Sequence, residues 1–174
     1  MDGLLFDSER IVQRSWEIAG DELGIPHMGD VIYHTLGMNR AGRNEYFRKY
    51  IREDFPFEEF GKLTRDNFWK IVDKEGLPLK KGAKELLAYG KSQGYKMAVA
   101  TSSSREYAMG NLIRAGIDPY FDSVICGDMV KKAKPDPEIY QKACESLGIQ
   151  PEYCMAFEDA PGGILSAHQA GMQV

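Results

Sequence analysis

Glu158-Asp159 places two carboxylates directly after the apolar run Tyr153-Cys154-Met155-Ala156-Phe157 and before Ala160-Pro161-Gly162-Gly163. Adjacent acids at the end of a buried strand repel each other unless a cation joins them, so the pair is a candidate metal site; an acidic helix cap is the plainer alternative. Lys134 stands in Ala133-Lys134-Pro135-Asp136-Pro137, where a proline-fixed helix start would hold its ammonium in a defined place. Thr101-Ser102-Ser103 follow the apolar segment Lys96-Met97-Ala98-Val99-Ala100. Hydroxyls and backbone N–H groups there can hold a phosphate at a helix N-terminus, or simply cap the helix. At the other end of the sequence, Asp2-Gly3 adds an acid beside a residue with no side chain. Each group has a bland reading of its own, and the weight lies in their joint order.

The elements that must position these groups fall into two regimes, with a boundary near Gly76-Leu77-Pro78. Before it the pattern is helical. Residues 9–23 space Ile11, Val12, Trp16, Ala19 and Leu23 at helical intervals and stop at Gly24, while 41–52 and 57–75 set aromatic and aliphatic residues among charges. The aromatic stripe is expected to be bundle core rather than a ligand box. No strand is expected in this half.

From residue 80 onward helices alternate with short apolar strands, the signature of βαβ units and a parallel sheet. Helices are expected at 82–93, 104–115, 137–147 and 161–170, and strands at 96–100, 123–126 and 153–157, with another strand starting at 172. Ser103 with Glu106 has capping-box spacing for the second of these helices, and Asp136 with Pro137 gives the third an N-cap and a first helical residue. Ligands of an open parallel sheet bind at the carboxyl ends of its strands. That rule brings Asp2, Thr101, Lys134 and Glu158-Asp159 to one edge.

Composition excludes several classes of function. The chain has 174 residues, 43% apolar, with a formal net charge of -4 and interspersed signs, so the basic footprint of a nucleic-acid binder is missing. No apolar run reaches the ~20 residues that span a bilayer, and no signal-peptide pattern is present, which points to the cytoplasm and away from membranes. Cys126, Cys144 and Cys154 lack CxxC spacing and are expected to be buried thiols in a reducing compartment.

The ordered set Asp2-Gly3, Thr101, Lys134 and Glu158-Asp159 resembles the four motifs of the haloacid dehalogenase (HAD) superfamily, and the helical segment after the first motif resembles the cap of its β-phosphoglucomutase and sugar-phosphate phosphatase subgroup. The resemblance spans essentially the whole chain. It implies an α/β fold, a Rossmann-like parallel-sheet core with a helical-bundle cap, divided as 1–8 (start of core), 9–76 (cap) and 77–174 (core). The family's first motif is Asp-x-Asp-Gly, and Asp2-Gly3 match its second half. The nucleophilic aspartate is therefore expected one position before Met1, on an apolar strand, and further strands are expected past Val174.

What the resemblance implies is a Mg²⁺-dependent phosphatase acting on a small phosphorylated metabolite, a sugar phosphate, through an aspartyl-phosphate. Asp2 would be the general acid/base and lend its carbonyl to Mg²⁺. Asp159 would be the side-chain metal ligand, with Glu158 a ligand through water or an orienter. Thr101, Ser102 and Lys134 would bind phosphoryl oxygens. Arg40, in Leu36-Gly37-Met38-Asn39-Arg40, would either grip a second anionic group of the substrate or remain a solvated arginine. Val12 stands where the mutase carries a histidine, which favours phosphatase over mutase; a catalytically inactive, ligand-binding relative is the other alternative. A monomer is expected.

Overall fold

A computed structural model describes residues 1–35 and 40–174, with the side chains of Arg40 and Ala41 outside the description. The chain divides into two compact units, one formed by Ser8–Gly76 and the other by Met1–Asp7 with Leu77–Val174.

The first unit is helical: α1 (Ser8–Glu22), α2 (Met28–Thr35), α3 (Arg40–Tyr50) and α4 (Phe57–Glu75), with α1 packed on both α2 and α4. Trp16 is the centre of its core. Its ring meets Phe47 and Phe60 edge-on, each at 5.6 Å between centroids, and Ala19, Ile25, Met28, Ile32 and Phe55 close around them. Edge-to-face rings gain a little beyond the area they bury, about 0.5–1.5 kcal/mol per pair. Val12 packs against this cluster as well. The aromatic pattern thus builds a core, although Tyr50 stays exposed.

Helix α2 has no counterpart in the periodicity of the sequence. It is short and contains a glycine and several β-branched residues, and tertiary contacts sustain it. A side chain at Gly20 of α1 would fall 2.4 Å from the carbonyl oxygen of Ile25, so glycine permits the close approach. The Glu17 carboxylate then accepts from the Gly29 N–H at 2.7 Å, satisfying a donor of the α2 first turn.

The second unit is α/β. It contains α5 (Ala83–Ser92), β1 (Ala98–Ala100), α6 (Arg105–Arg114), β2 (Ser123–Ile125), α7 (Glu138–Leu147) and α8 (Pro161–Gln169). Strands β1 and β2 pair in parallel, with Ala98 opposite Ser123, Val99 opposite Val124 and Ala100 opposite Ile125. Strand β1 starts later than its apolar run because the Asp122 carboxylate takes the Met97 N–H at 2.9 Å. The N-terminal segment is tied in by Asp7 N–H to Pro78 O and Lys80 N–H to Leu5 O, both 2.8 Å, with the Phe6 side chain fully buried.

The strand expected at 153–157 is not a regular strand. Pro151–Tyr153 form a 3₁₀ turn, and pairing is limited to a parallel bridge between Met155 and Gln173, made by Ala156 N–H to Gln173 O (2.7 Å) and Gln173 N–H to Cys154 O (3.1 Å). Helices α7 and α8 cover β2 through Ile139, Tyr140, Ala143, Ala167 and Ala170. Helix α7 starts one residue later than expected, yet Asp136 still accepts from the Glu138 N–H at 3.0 Å, so the predicted capping chemistry is in place.

Cys126 and Cys144 are buried as expected, whereas Cys154, directly after the exposed 3₁₀ residue Tyr153, is only half-buried. Burial first, then a hydrogen bond with Cys154, pushes the Cys144 thiol up to about 12. No helix among the described residues is long and apolar enough to cross a membrane.

Candidate active site

The polar groups singled out in the sequence converge in the α/β unit. Residues Met1 to Phe6 form a tight turn, closed by Leu5 N–H to Met1 O at 2.8 Å, and Gly3 takes φ +74°, a left-handed conformation that a side chain disfavours. A Cβ there would sit 2.0 Å from Oδ2 of Asp159. Glycine therefore lets the Asp159 carboxylate lie directly against the Asp2-Gly3 turn.

The Asp2 carboxylate is held at both oxygens. Ser103 donates from Oγ to Oδ2 at 2.9 Å, and Tyr107 donates its phenolic hydroxyl to Oδ1 at 2.9 Å. Burial, reinforced by the charge of Asp2, pushes the Tyr107 phenol well above the ordinary tyrosine value and keeps it a donor. Ser103 is not the helix cap that its spacing with Glu106 suggests. Ser104 caps α6 by accepting from the Tyr107 N–H at 3.4 Å, which leaves the Ser103 hydroxyl for the acid.

Thr101 continues the parallel ladder beyond β1, its N–H bonded to Ile125 O at 3.0 Å, and its buried hydroxyl accepts from the Ser103 N–H at 3.2 Å. Ser102, beside it, is exposed. One further donor of this helix start is taken: Arg105 N–H bonds the Asp128 carboxylate at 2.9 Å.

Lys134 and Glu158 form an ion pair with side-chain exposures of 11% and 9%, so both charges are nearly out of water. The ammonium also donates to Ala100 O, at the end of β1, and to the Tyr140 hydroxyl, both at 3.2 Å, and lies 4.7 Å from the centre of the Tyr140 ring. Glu158 is committed to the protein at both oxygens: Oε1 receives Lys134 and the Tyr140 hydroxyl (3.0 Å), and Oε2 receives the N–H groups of Asp159 (3.0 Å) and Ala160 (3.1 Å). Burial alone would raise its pKa. The Lys134 ammonium, the Ala160 N–H and the Tyr140 hydroxyl outweigh burial and hold the carboxyl at about 2.

Direct contacts bring these side chains into one neighbourhood: Asp2 to Ser103, Ser103 to Thr101, Lys134 to Glu158 and to the end of β1, and Asp159 against Gly3. Among the described residues no group of three or more His, Cys, Asp or Glu side chains is placed to hold a metal ion. The Asp159 carboxylate beside the Asp2-Gly3 turn is an oxygen donor of the kind that fits a hard divalent cation keeping most of its water shell. The cradle that Gly3 leaves for Asp159 fits that use.

Tyr107 and Tyr140 carry no sequence signal as strong as the motifs. Tyr107 could have been found as the residue one helical turn after Ser103, and Tyr140 as an aromatic at the start of the helix following Lys-Pro-Asp-Pro. The Arg40 side chain and Leu36–Asn39 lie outside the described residues.

Residues 1–171 match the model of the haloacid dehalogenase-like hydrolases. The chain belongs to this family. Among haloacid dehalogenase-like hydrolases it is similar to a phosphorylated carbohydrates phosphatase of Thermotoga maritima, 32% identical over 99% of this chain and 80% of the relative. It is also similar to hexitol phosphatase A of Escherichia coli, 30% identical over 100% of this chain and 78% of the relative. A solved Thermotoga maritima structure, provisionally assigned as a β-phosphoglucomutase, superposes with a TM-score of 0.81 at 30% identity, covering 99% of this chain and 79% of that one. The CbbY protein of Rhodobacter sphaeroides, solved with phosphate, gives 0.68 at 25% identity, with 99% and 80% covered.

Proposed function

We propose that this haloacid dehalogenase-like hydrolase is a Mg²⁺-dependent phosphatase of a small phosphorylated metabolite, a sugar phosphate, working through an aspartyl-phosphate in the cytoplasm. The observation that carries the reading is the juxtaposition of Asp159 with the Asp2-Gly3 turn, on the same edge where Thr101 follows β1 and the Lys134 loop delivers its ammonium to Ala100 O. The names of the similar phosphatases support it. The resemblance puts the attacking carboxylate one position before Met1, outside these 174 residues. The remaining roles fall to the chain's own groups.

Mg²⁺, held by Asp159 and the Asp2 carbonyl, would neutralise phosphoryl charge and fix the group for in-line attack. Asp2 gives a proton to the departing sugar oxygen and later takes one from the attacking water. The Thr101 hydroxyl and the Ser102 backbone bind phosphoryl oxygens beside the start of α6. Lys134 binds another by exchanging one of its two 3.2 Å contacts, with Ala100 O or the Tyr140 hydroxyl, while Glu158 keeps the ammonium in place. With both oxygens occupied by protein donors, Glu158 reaches the cation only through water and serves mainly to orient Lys134. Val12 packs among apolar groups of the helical unit, and this favours phosphatase over mutase chemistry.

The test is turnover of p-nitrophenyl phosphate and a panel of sugar phosphates, with and without Mg²⁺, by the chain extended before Met1 with an apolar strand ending in aspartate. We expect Mg²⁺-dependent phosphate release that falls roughly 100-fold or more in Asp159→Asn with the fold retained. Metal-independent turnover, or an Asp159→Asn enzyme as fast as the parent, overturns the proposal.

A further inference from the structure

The Asp2 carboxylate is fixed by two hydroxyls from one stretch of chain, Ser103 in the turn after β1 and Tyr107 on the first turn of α6. Each donates to a different oxygen at 2.9 Å. A single hydrogen bond would leave the side chain able to turn about its Cα–Cβ and Cβ–Cγ bonds, and a second one on the other oxygen restricts both rotations. Both donors are themselves anchored. The Ser103 N–H bonds Thr101 Oγ1 at 3.2 Å and its carbonyl accepts from the Gly127 N–H at 2.9 Å, while the Tyr107 carbonyl accepts from the buried Asn111 amide at 2.9 Å. An ionised carboxylate has roughly four lone-pair sites, so two remain for a proton in transit. Ser103 also links Asp2 to the phosphate-binding hydroxyl, because its N–H and its Oγ contact Thr101 and Asp2 respectively.

We infer that Ser103 and Tyr107 are positioning residues that hold the Asp2 carboxylate in one orientation for proton transfer. Their role depends on Asp2 being the acid/base proposed above. They touch neither substrate nor metal in this scheme and act through Asp2 alone. A reacting group displaced by about 1 Å can lose on the order of 100-fold in rate.

Two measurements test the assignment. In the 174-residue chain, NMR three-bond couplings of the Asp2 β-protons report its side-chain rotamer; we expect one rotamer in the parent and averaging in Ser103→Ala/Tyr107→Phe. In the chain extended before Met1 with an aspartate-ended strand, Ser103→Ala and Tyr107→Phe should each lower kcat about 5- to 10-fold and leave KM within about 2-fold, whereas Ser103→Thr, which keeps the hydroxyl, should retain most of the rate. In an Asp2→Asn background the same substitutions should have no further effect. Unchanged couplings, unchanged kcat, or losses that persist in Asp2→Asn overturn the inference. An Asp2→Asn enzyme as active as the parent would instead overturn the acid/base reading on which it rests.

Discussion

Replacing Lys134 by methionine keeps the volume of the side chain and removes its charge from a site where both partners are nearly dry. Loss of one member of a buried ion pair costs about 3–5 kcal/mol, because the remaining charge stays desolvated and uncompensated. Glu158 would not be left bare. It retains the Tyr140 hydroxyl at 3.0 Å and the Asp159 and Ala160 N–H groups at 3.0 and 3.1 Å. Those donors place Lys134→Met at the low end of the range, about 3 kcal/mol. Glu158→Gln leaves the ammonium with Ala100 O and Tyr140, both at 3.2 Å, and should cost about 2 kcal/mol. The double variant buries no charge at this point, so it should be more stable than the sum of the single losses predicts, with a coupling energy of about 2 kcal/mol. Urea unfolding should be followed by far-UV circular dichroism and amide exchange. Tryptophan fluorescence would follow the wrong unit, since Trp16 and Trp69 both belong to Ser8–Gly76. A coupling below about 0.5 kcal/mol, the usual error of additivity, refutes the view that Lys134 and Glu158 act as one buried pair.

Two other perturbations follow from the geometry. Gly3→Ala must place a Cβ at φ +74° and 2.0 Å from the Asp159 carboxylate, so the carboxylate has to swing away; we expect a stability loss of about 1–2 kcal/mol from the backbone and Mg²⁺ affinity down at least about 10-fold by titration calorimetry, and parental affinity would remove Asp159 from the metal site. Glu138 is held at about 2, below the ordinary 4.5, chiefly by the Lys131 N–H and then by the Lys142 ammonium. A value depressed by folding stabilises above the unfolded pKa and is lost as pH falls through the folded one. Glu138→Gln should therefore melt below the parent at pH 7 and converge with it as pH drops from about 4.5 towards 2; a gap that does not change with pH contradicts the assignment.

Most of the helices were legible because they carry their own punctuation. Helix α4 starts after Pro56 and ends at Gly76, and α7 pairs an Asp136 cap with a left-handed Gly148. Helix α2 was not legible, since what sustains it is the approach at Gly20 and the carboxylate of Glu17, both contributed by another helix. The bridge at Met155 was overread for a related reason: an apolar run shows that a segment is buried or extended, and it does not show how many residues find a partner. Within the candidate site the charged residues were visible from their order along the chain. Their partners were hidden by locality. Three successive serines, Ser102 to Ser104, offer the same hydroxyl to three uses, and spacing with Glu106 chooses Ser103 as the cap. The decisive contact is with Asp2, 101 positions away in sequence, and no local pattern encodes it.

The site also depends on atoms that are missing. Gly163 would place a Cβ 2.0 Å from Glu158 Oε1, as Gly3 would beside Asp159 Oδ2, so each acid of the pair occupies space that a glycine leaves open. The two carboxylates are consecutive in the chain, yet they face different environments: Glu158 turns inward to four protein donors, while Asp159 lies exposed against the Asp2 turn. Neighbouring acids separated in this way need not share one counter-charge. Lys134 pairs with Glu158, and in the proposed reading Asp159 is the acid that meets the cation. The acidic pair by itself marks both residues as one candidate metal site, and only the family resemblance gives them separate roles. The glycines that seat them account for why they divide it.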